Sequence, residues 1–339
     1  MTALSGEIAV IIVNYNTPAL TLEAIESVLS RGHGGRRLEV HVVDNASPGG
    51  DAAILAAALS ARNWVNTVHL RSEEKNIGFG GANNLVLSAL LKRVRPPRYV
   101  FLLNPDARLE NETVSILADF LDTHARVGAV GARIGKPDGS PVSAAFRFPG
   151  IVSTLASALS LGPVSRLFAS RLVALPPLIA TQRVDWVSGA AVMFRLSVLE
   201  RIGFFDPTYF LYFEEVDLMR RMRPYGSEVW HVAEARVIHA EGASTNVRSG
   251  TRERKRLPTY WYQSWQHYFL KNHGRLYTFA AAAIWIGGTL CNQIVSRLRG
   301  RPPVAPLHFV GDLLSVAVLP LFRIDRERRR VQRRQNHRR

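Results

Sequence analysis

Acidic and amide side chains directly follow three short apolar runs near the start of this chain. Asn14 follows residues 8–13, Asp44 follows residues 38–43, and Asn104-Pro105-Asp106 follows residues 99–103. If these runs are strands of an open α/β sheet, their carboxyl ends mark a ligand site. A carboxylate there can hold Mg²⁺ or Mn²⁺, because both ions take oxygen ligands and share their shell with substrate phosphates. Simpler interpretations stay open: Asp44 as a helix cap and Asp106 as a solvated turn residue.

A glycine-rich segment, residues 76–84, opens the third helical pattern and contains Asn76, Gly78, Gly80 and Asn83. Its spacing differs from G-x-G-x-x-G and it does not follow the first strand, which disfavours a nicotinamide-dependent dehydrogenase. Glycines at a helix start let backbone N–H groups approach a diphosphate. We therefore predict that these four residues, together with Asn104, bind a nucleotide donor; a plain turn is the alternative.

Three acids lie among large apolar residues in the segment 210–218: Glu214, Glu215 and Asp217. Acids in apolar surroundings are costly unless they are paired or used in catalysis. Glu214 and Asp217 share a helix face, whereas Glu215 points elsewhere. Acids that favour the dipole of a helix start are the simpler interpretation. His239 ends an apolar run and is either a metal ligand or an ordinary strand-end histidine.

The elements that must position these residues alternate between apolar runs typical of strands and the repeating pattern of amphipathic helices. Apolar runs typical of strands cover residues 8–13, 38–43, 65–70, 99–103 and 127–134, and helical patterns cover 19–30, 52–61, 82–94 and 112–123. This order predicts an α/β fold with a mostly parallel central sheet and helices on both faces. Residues 142–182 are less regular, and strand patterns return at 184–194 and 228–239.

Composition and charge divide the 339-residue chain into two regions. Residues 1–247 hold 24 Lys and Arg against 23 Asp and Glu, whereas residues 248–339 hold 19 against 4. The single cysteine, Cys291, excludes a disulfide framework and a cysteine-based zinc site. The start of the chain lacks the pattern of a signal peptide, so we expect a cytoplasmic protein. We predict a catalytic domain over 1–247 and a helical appendage over 248–339.

The appendage is apolar and aromatic as well as basic. Residues 258–273 form an aromatic-rich helical pattern, residues 276–296 contain no charged residue, and residues 304–322 are a second apolar stretch. The uncharged stretch reaches across a bilayer core of roughly 30 Å at about 1.5 Å per residue. Apolar segments flanked by arginines favour an anionic membrane surface over nucleic acid. We predict peripheral attachment to the inner face of the cytoplasmic membrane and no nucleic-acid partner; a buried helical hairpin is the alternative.

Taken in order, these segments resemble the bacterial inverting glycosyltransferases of family 2, which have the GT-A fold, and particularly their rhamnosyltransferase-like branch. The resemblance spans residues 7–245. It rests on Ile11-Ile12-Val13-Asn14-Tyr15-Asn16, Val42-Val43-Asp44-Asn45-Ala46-Ser47, the glycine-rich segment 76–84, Leu102-Leu103-Asn104-Pro105-Asp106, Asp185-Trp186-Val187-Ser188-Gly189-Ala190-Ala191, Gly203-Phe204-Phe205-Asp206 and Phe213-Glu214-Glu215-Val216-Asp217-Leu218.

The resemblance implies a role for each matching position. Asp44 contacts the nucleotide, with Val13 and Asn14 lining the same pocket. Asn104-Pro105-Asp106 replaces the Asp-x-Asp metal motif, so Asp106 and His239 are the implied ligands of Mg²⁺ or Mn²⁺. The second acid of the Glu-Asp motif is the usual base, which makes Glu215 the candidate and Glu214 its rival. Asp185, Trp186, Gly189 and Asp217 fall where the acceptor and the donor sugar are contacted.

The implied reaction is a metal-assisted single displacement with inversion. The donor is a dTDP- or UDP-sugar, with dTDP-rhamnose the best specific candidate, and the acceptor is a lipid-linked or cell-envelope glycan. A different class stays open because the first metal acid is replaced. The chain would then be a catalytically inactive assembly partner that kept the fold.

Overall fold

The computed structural model describes residues 7–159, 166–240 and 255–322, which form two compact units. The first unit contains the described residues of 1–148, 174–210 and 214–249. The second contains those of 149–173, 211–213 and 250–339. The second unit therefore takes in residues 149–173, which the sequence analysis placed in the catalytic domain.

The first unit is built on a nine-stranded sheet in the order β3-β2-β1-β4-β10-β6-β11-β5, with β8 also paired to β11. Its strands are β1 (Ile8–Asn14), β2 (Leu38–Asp44), β3 (Val68–Ser72), β4 (Tyr99–Leu103), β5 (Ala107–Leu109), β6 (Val127–Gly135), β8 (Gln182–Val184), β10 (Ala191–Arg195) and β11 (Glu228–His239). Strands β7 (Ala145–Phe146) and β9 (Trp186–Val187) form a separate pair. Strands β1–β4 are parallel to one another, as are β6 and β11, whereas β10, β5 and β8 pair antiparallel. The predicted α/β fold is confirmed, but the sheet is mixed: half of its strand pairings are parallel, at β1–β4 and at β6 with β11, and half are antiparallel.

Helices cover both faces of this sheet, as predicted. Numbered in chain order over both units, the helices are α1 (Pro18–Leu29), α2 (Asp51–Ala61), α3 (Gly78–Leu91), α4 (Thr113–Thr123), α5 (Ile151–Leu159), α6 (Leu196–Ile202), α7 (Glu214–Met222), α8 (Thr259–His273), α9 (Arg275–Leu298) and α10 (Phe309–Phe322). Helices α5, α8, α9 and α10 belong to the second unit. Successive side chains of a strand point to opposite faces. Ile8, Val10 and Ile12 accordingly pack with α1, α2 and α4, while Ala9 and Ile11 pack with α3, α6 and α7.

Two elements differ from their sequence predictions because distant contacts decide them. The run 184–194 was expected to be one strand, but it contains the end of β8 and all of β9 and β10. Trp186 pairs with Phe146 in the small sheet, whereas Ala191 pairs with Leu103 in the large one. The third helix begins at Gly78 instead of residue 82, so the glycines occupy its first turn.

The second unit is helical. A Cβ on Gly288 of α9 would lie 2.6 Å from Ala158 Cβ of α5, so this glycine permits close packing of the two helices. Asn292 Nδ2 donates to the Leu159 carbonyl at 2.7 Å, and Arg256 pairs with Asp312 at 2.6 Å. Among the described helices, only α9 has the length and composition to cross a membrane, with a mean hydropathy of 1.3. The predicted C-terminal helical appendage is therefore present.

Candidate active site

A buried polar network joins the carboxyl ends of β1 and β2. Parallel pairing places Asn14 opposite Asp44, and Asn14 Nδ2 donates to Asp44 Oδ1 at 2.8 Å and to Asp51 Oδ2 at 2.9 Å. Ser47 Oγ donates to Asp44 Oδ1 at 2.6 Å, and Thr21 Oγ1 donates to Asn14 Oδ1 at 2.7 Å. Such bonds orient the Asp44 carboxylate and offset the cost of its burial.

The network corrects the role predicted for Asn14. Its side chain is fully buried and its amide nitrogen and oxygen are both engaged by neighbouring side chains. Asn14 therefore orients Asp44, and its own amide group is already hydrogen-bonded within the protein. Val13, the next residue along β1, is largely buried and packs in the core shared with α3.

The glycine-rich segment is held by amide side chains. Asn45 Nδ2 donates to Asn76 Oδ1 at 2.9 Å, and Asn45 Oδ1 accepts the Ile77 N–H at 3.1 Å. Asn76 Oδ1 also accepts the Gly78 N–H at 3.0 Å. This part of the site is therefore tied to the end of β2 through Asn45, a residue that the sequence analysis quoted in a motif but did not assign.

The glycines themselves are explained by packing. Gly78 has φ +76°, and a Cβ there would lie 2.0 Å from the Phe210 carbonyl oxygen. A Cβ on Gly80 would lie 2.9 Å from Phe205 Cβ. Both positions exclude a side chain because the segment 205–210 passes against them. This packing explains both glycines without the predicted contact with a diphosphate.

Asn83 also belongs to the interior. Its side chain is fully buried, and its Nδ2 donates to the Phe79 carbonyl at 2.9 Å. Within the described residues its Oδ1 has no hydrogen-bond partner. The predicted contact of Asn83 with the donor is corrected, because no part of this side chain reaches the surface.

A carboxylate and an imidazole meet at the ends of β4 and β11. Antiparallel pairing of β11 with β5 places His239 opposite Ala107, and His239 Nε2 lies 3.0 Å from Asp106 Oδ1. Asn104 Nδ2 lies 3.4 Å from the same nitrogen. Asp106 is only 4% exposed, so its carboxylate is rigidly presented. Two residues that are 133 positions apart are thus brought together as the sequence analysis expected.

This group suits a divalent cation. A carboxylate oxygen, an imidazole nitrogen and an amide oxygen are acceptable ligands for Mn²⁺, and the oxygens suit Mg²⁺. Few protein ligands are needed, because such ions commonly complete their shell with water and substrate phosphates. Asp106 and His239 therefore fit the metal site that the sequence predicts, and Asn104, predicted to bind the donor, lies beside them.

The Glu214–Glu215 pair begins α7 after two strained residues. Tyr212 and Phe213 both have φ 69°, a left-handed conformation that costs roughly 1–2 kcal/mol for each non-glycine residue. Glu214 is only 3% exposed, whereas Glu215 is partly exposed. The Oε2 atoms of both have no hydrogen-bond partner among the residues that the structure describes. Backbone strain next to unpaired buried acids is typical of a functional site.

The environments of the two acids raise their proton affinities. Burial raises the pKa of Glu215, and burial followed by the charge of Glu215 raises the pKa of Glu214 further. The pair therefore holds at least one proton to a higher pH than an exposed glutamate would.

Asp217 has a structural role, which corrects its predicted contact with an acceptor. It is fully buried, and its Oδ2 accepts from Arg221 Nε at 2.9 Å. The Arg221 guanidinium also donates to the carbonyls of Ile202 and Phe204, at 2.6 Å and 2.5 Å. This buried ion pair ties α7 to the segment after α6.

The remaining predicted sugar-contacting residues lie around β9. Asp185 Oδ2 accepts the Phe148 N–H at 3.0 Å. Trp186 stacks on Phe146 with ring centroids 4.0 Å apart, and its Nε1–H donates to the Arg147 carbonyl at 3.0 Å. Both Asp185 and Trp186 stay partly exposed, so they are available at the surface.

Gly189 connects the acid pair with the metal-binding group. A Cβ built there would lie 3.9 Å from Glu215 Cβ and 3.7 Å from the ring of Phe79. The next residue, Ala190, accepts the Asn104 N–H on its carbonyl at 2.9 Å. Glu215 and Asp106 therefore lie at the same edge of the sheet. Phe79 was not identified from the sequence, because only its neighbouring glycines carry a recognisable signal.

Comparison with known proteins agrees with this geometry. The sequence model of glycosyl transferase family 2 matches residues 9–153. An N-acetylglucosaminyl-diphospho-decaprenol L-rhamnosyltransferase of Mycobacterium tuberculosis is 29% identical over 220 residues, which are 62% of this chain and 69% of that protein. A low-salt glycan biosynthesis hexosyltransferase of Haloferax volcanii is 27% identical over 219 residues, which are 64% of this chain and 62% of the relative.

A solved structure supports the fold. A mannosyltransferase of Pyrobaculum calidifontis, in complex with GDP-Man and Mn²⁺, superposes with a TM-score of 0.54 at 16% identity. The match covers 94% of this chain and 83% of that one. The chain has the GT-A fold, and its residues 9–153 match the sequence model of glycosyl transferase family 2.

Proposed function

We propose that this chain is a glycosyltransferase that moves a hexose from a nucleoside diphosphate to an acceptor hydroxyl with inversion of the anomeric configuration. The proposal rests on two neighbouring contacts: Gly189 lies against Glu215, and the Ala190 carbonyl accepts the Asn104 N–H. Asp106 follows Asn104 by two residues. The two contacts bring a carboxylate with a raised pKa and a metal-binding group to one edge of the sheet. A base and an electrophilic group at one site are what a single displacement needs.

The residues of this chain perform the other steps as follows. Asp106 and His239 would hold Mg²⁺ or Mn²⁺, which when bound neutralises charge on the departing diphosphate. Asp44, oriented by Asn14 and Ser47, binds the nucleoside. Glu215 accepts the proton of the acceptor hydroxyl while that oxygen attacks the anomeric carbon. A carboxylate is too weak a base to ionise an alcohol beforehand, so proton transfer accompanies attack.

Glu214 supports this step by staying protonated. Two adjacent ionised carboxylates in a buried position repel each other, so one of them keeps its proton. Burial raises the pKa of both acids, and we assign the ionised form to Glu215. Glu215 is also the more exposed of the two and so the more accessible to an acceptor.

For the donor we propose dTDP-rhamnose. The name of the Mycobacterium tuberculosis relative and the rhamnosyltransferase-like motifs of residues 7–245 support this choice. The test is a thermal-shift panel of dTDP-, UDP- and GDP-sugars with Mg²⁺, because a bound ligand raises the melting temperature. A selective shift with dTDP-rhamnose is expected. A shift with another nucleotide sugar alone would replace the donor assignment and leave glycosyl transfer intact.

For the acceptor we propose a lipid-linked or cell-envelope glycan, presented at the cytoplasmic face of a membrane. Helix α9 supports this because it exposes its large apolar residues. Leu276, Ile294 and Leu298 are 87%, 59% and 83% exposed. With 3.6 residues per turn they lie within an arc of roughly 40°. Its small and polar residues, such as Thr289, Asn292 and Ser296, are buried.

An apolar stripe on the outside of a helix suits a membrane surface better than water. Arg275, Arg297 and Arg299 lie at the ends of α9 and would attract anionic lipid headgroups. We expect sedimentation with anionic vesicles. Leu276→Ser, Ile294→Ser and Leu298→Ser together should weaken it at least about tenfold.

The matched control replaces three exposed apolar residues of the first unit: Ile54→Ser, Val65→Ser and Val94→Ser. This control should sediment like the wild type. Equal vesicle binding by both triple variants would remove α9 from the proposed membrane contact.

A further inference from the structure

Strands β2 and β3 carry a group of possible metal ligands outside the site described above. Glu39 and His41 are two residues apart on β2, so their side chains lie on the same face of the sheet. Parallel pairing places His69 of β3 directly opposite His41. One carboxylate and two imidazoles therefore face one another on adjacent strands.

The contacts within this group are long for hydrogen bonds and leave room for a shared ion. His41 Nε2 lies 3.5 Å from Glu39 Oε1, and His69 Nε2 lies 3.7 Å from Glu39 Oε2. The three ligand atoms all lie within 4.8 Å of one another. Ligands around a tetrahedral Zn²⁺, with bonds of about 2.1 Å, are separated by about 3.4 Å. A small rotation of His69, whose side chain is half exposed, would close the remaining gap.

His41 supplies a second observation. Its Nε2 is buried, and among the described residues its polar contact is the long one of 3.5 Å to Glu39 Oε1, which lacks good hydrogen-bond geometry. A buried polar atom without a partner is costly, and binding to a metal is one way to satisfy it. The rings of His41 and His69 lie with centroids 5.0 Å apart, so both can turn a nitrogen toward the carboxylate.

Arg93, just after α3, contacts Glu39 Oε1 in an ion pair. Carboxylates that bind metals are commonly held by such an outer partner, which fixes their orientation. The contact leaves Oε2 facing His69. The positive charge of Arg93 also weakens the attraction for a cation, so we expect this site to bind less tightly than a fully acidic one.

We propose that Glu39, His41 and His69 form a second metal site, for Zn²⁺ or another divalent transition ion that accepts imidazole nitrogen. Two histidines and one carboxylate match the ligand sets of zinc sites with an open position and are poor ligands for Mg²⁺. The site would join the edge strand β3 to β2, the strand that ends at Asp44.

This site is separate from Asp106 and His239. Strand β1 lies between β2 and β4, which separates the two groups by about 10 Å across the sheet. His41 also lies three residues before the end of β2, whereas Asp106 lies beyond the end of β4. Occupation of the second site is therefore expected to stabilise the first unit without supplying the ion used in transfer.

The test is Zn²⁺ binding by the full chain in saturating Mg²⁺, measured by competition with a chromogenic chelator and by thermal shift. At a hundredfold excess of Zn²⁺ over its dissociation constant, the melting temperature should rise by about 5–10 °C. His69→Gln should weaken Zn²⁺ binding at least about tenfold, since even the loss of an outer partner has that effect. His69 is half exposed, so the variant is expected to fold, and its melting temperature without Zn²⁺ checks this.

Two control variants locate the binding. His124→Gln changes an exposed histidine elsewhere and should leave Zn²⁺ binding unchanged. His239→Gln changes the proposed catalytic metal site and should leave this Zn²⁺ equivalent in place. Absence of Zn²⁺ binding by the wild type would overturn the proposal. The proposal would also be overturned if His239→Gln lost the bound Zn²⁺ while His69→Gln kept it.

Discussion

Replacement of Glu215 by glutamine tests the proposed base. The change keeps the shape of a side chain whose Cβ lies 3.9 Å from a Cβ built on Gly189, and it removes only the ability to take a proton. A positioned general base contributes roughly 10²–10⁴-fold to the rate. We therefore expect kcat to fall by that factor, or about 2.7–5.4 kcal/mol in the barrier. Donor affinity should change little, because Glu215 is assigned no contact with the nucleotide.

The pH dependence gives a second measure of the same change. Since burial raises the pKa of Glu215, wild-type kcat should rise with pH as this carboxyl ionises, with a midpoint above the usual glutamate value. The Glu215→Gln variant should lose this rise.

The assay is steady-state release of nucleoside diphosphate across pH, with the donor dissociation constant measured separately. Glu200→Gln, on the exposed surface of α6, is the matched control. A Glu215→Gln enzyme with near-wild-type kcat would refute the assignment of the base. Equal loss of donor binding and turnover would move Glu215 into the donor pocket.

Three further results follow from the same structure. Asp106→Asn should raise the concentration of Mg²⁺ or Mn²⁺ needed for half-maximal activity about tenfold or more. The control Asp138→Asn, on an exposed turn, should leave that concentration unchanged. Equal metal dependence in the two variants would exclude Asp106 as a ligand. Gly78→Ala should lower the free energy of unfolding by at least about 2 kcal/mol in denaturant titrations, because its Cβ would meet the Phe210 carbonyl at 2.0 Å; an unchanged midpoint would contradict this packing. Glu214→Gln should raise the melting temperature at pH 8 and should raise it less at pH 4. The pKa of Glu214 is raised in the folded state, so wild-type stability falls as the pH rises from about 4.3 toward that pKa. A difference in melting temperature that does not depend on pH would refute the burial of an ionisable acid.

The sequence was most informative where local pattern decides structure. The runs that became β1, β2, β4 and β6 were recognised within one residue of their observed ends. Strands β1 and β4 are continuously apolar because they are covered on both faces. Polar residues at the ends of such strands necessarily share one edge. The meeting of Asp106 with His239 followed from this rule and from the motif resemblance.

Burial in the folded core sets apart several residues that the sequence placed in the site. Asp217 and Asn83 resemble site residues in sequence, but the Arg221 ion pair and the Phe79 carbonyl hold them inside the protein. Gly78 and Gly80 suggested a phosphate loop until the segment 205–210 was seen against them. More than 100 residues separate the two glycines from this segment along the chain, so no local pattern could reveal those contacts.

Strand order was similarly hidden. Strand β10 lies antiparallel between β4 and β6, which carries Gly189 and Ala190 to the edge beside Asn104. The alternation of strands and helices predicted parallel neighbours there. The resemblance located Gly189 in the site, but only the structure showed which side chains it joins.

The anomeric configuration of the transferred sugar tests the proposed displacement most directly. The product made from the donor that binds is isolated, and NMR gives the configuration at its anomeric carbon. With Glu215 as base and no covalent intermediate, the configuration should be opposite to that of the donor. Retention would require two successive displacements and would contradict the proposed role of the Glu214–Glu215 pair.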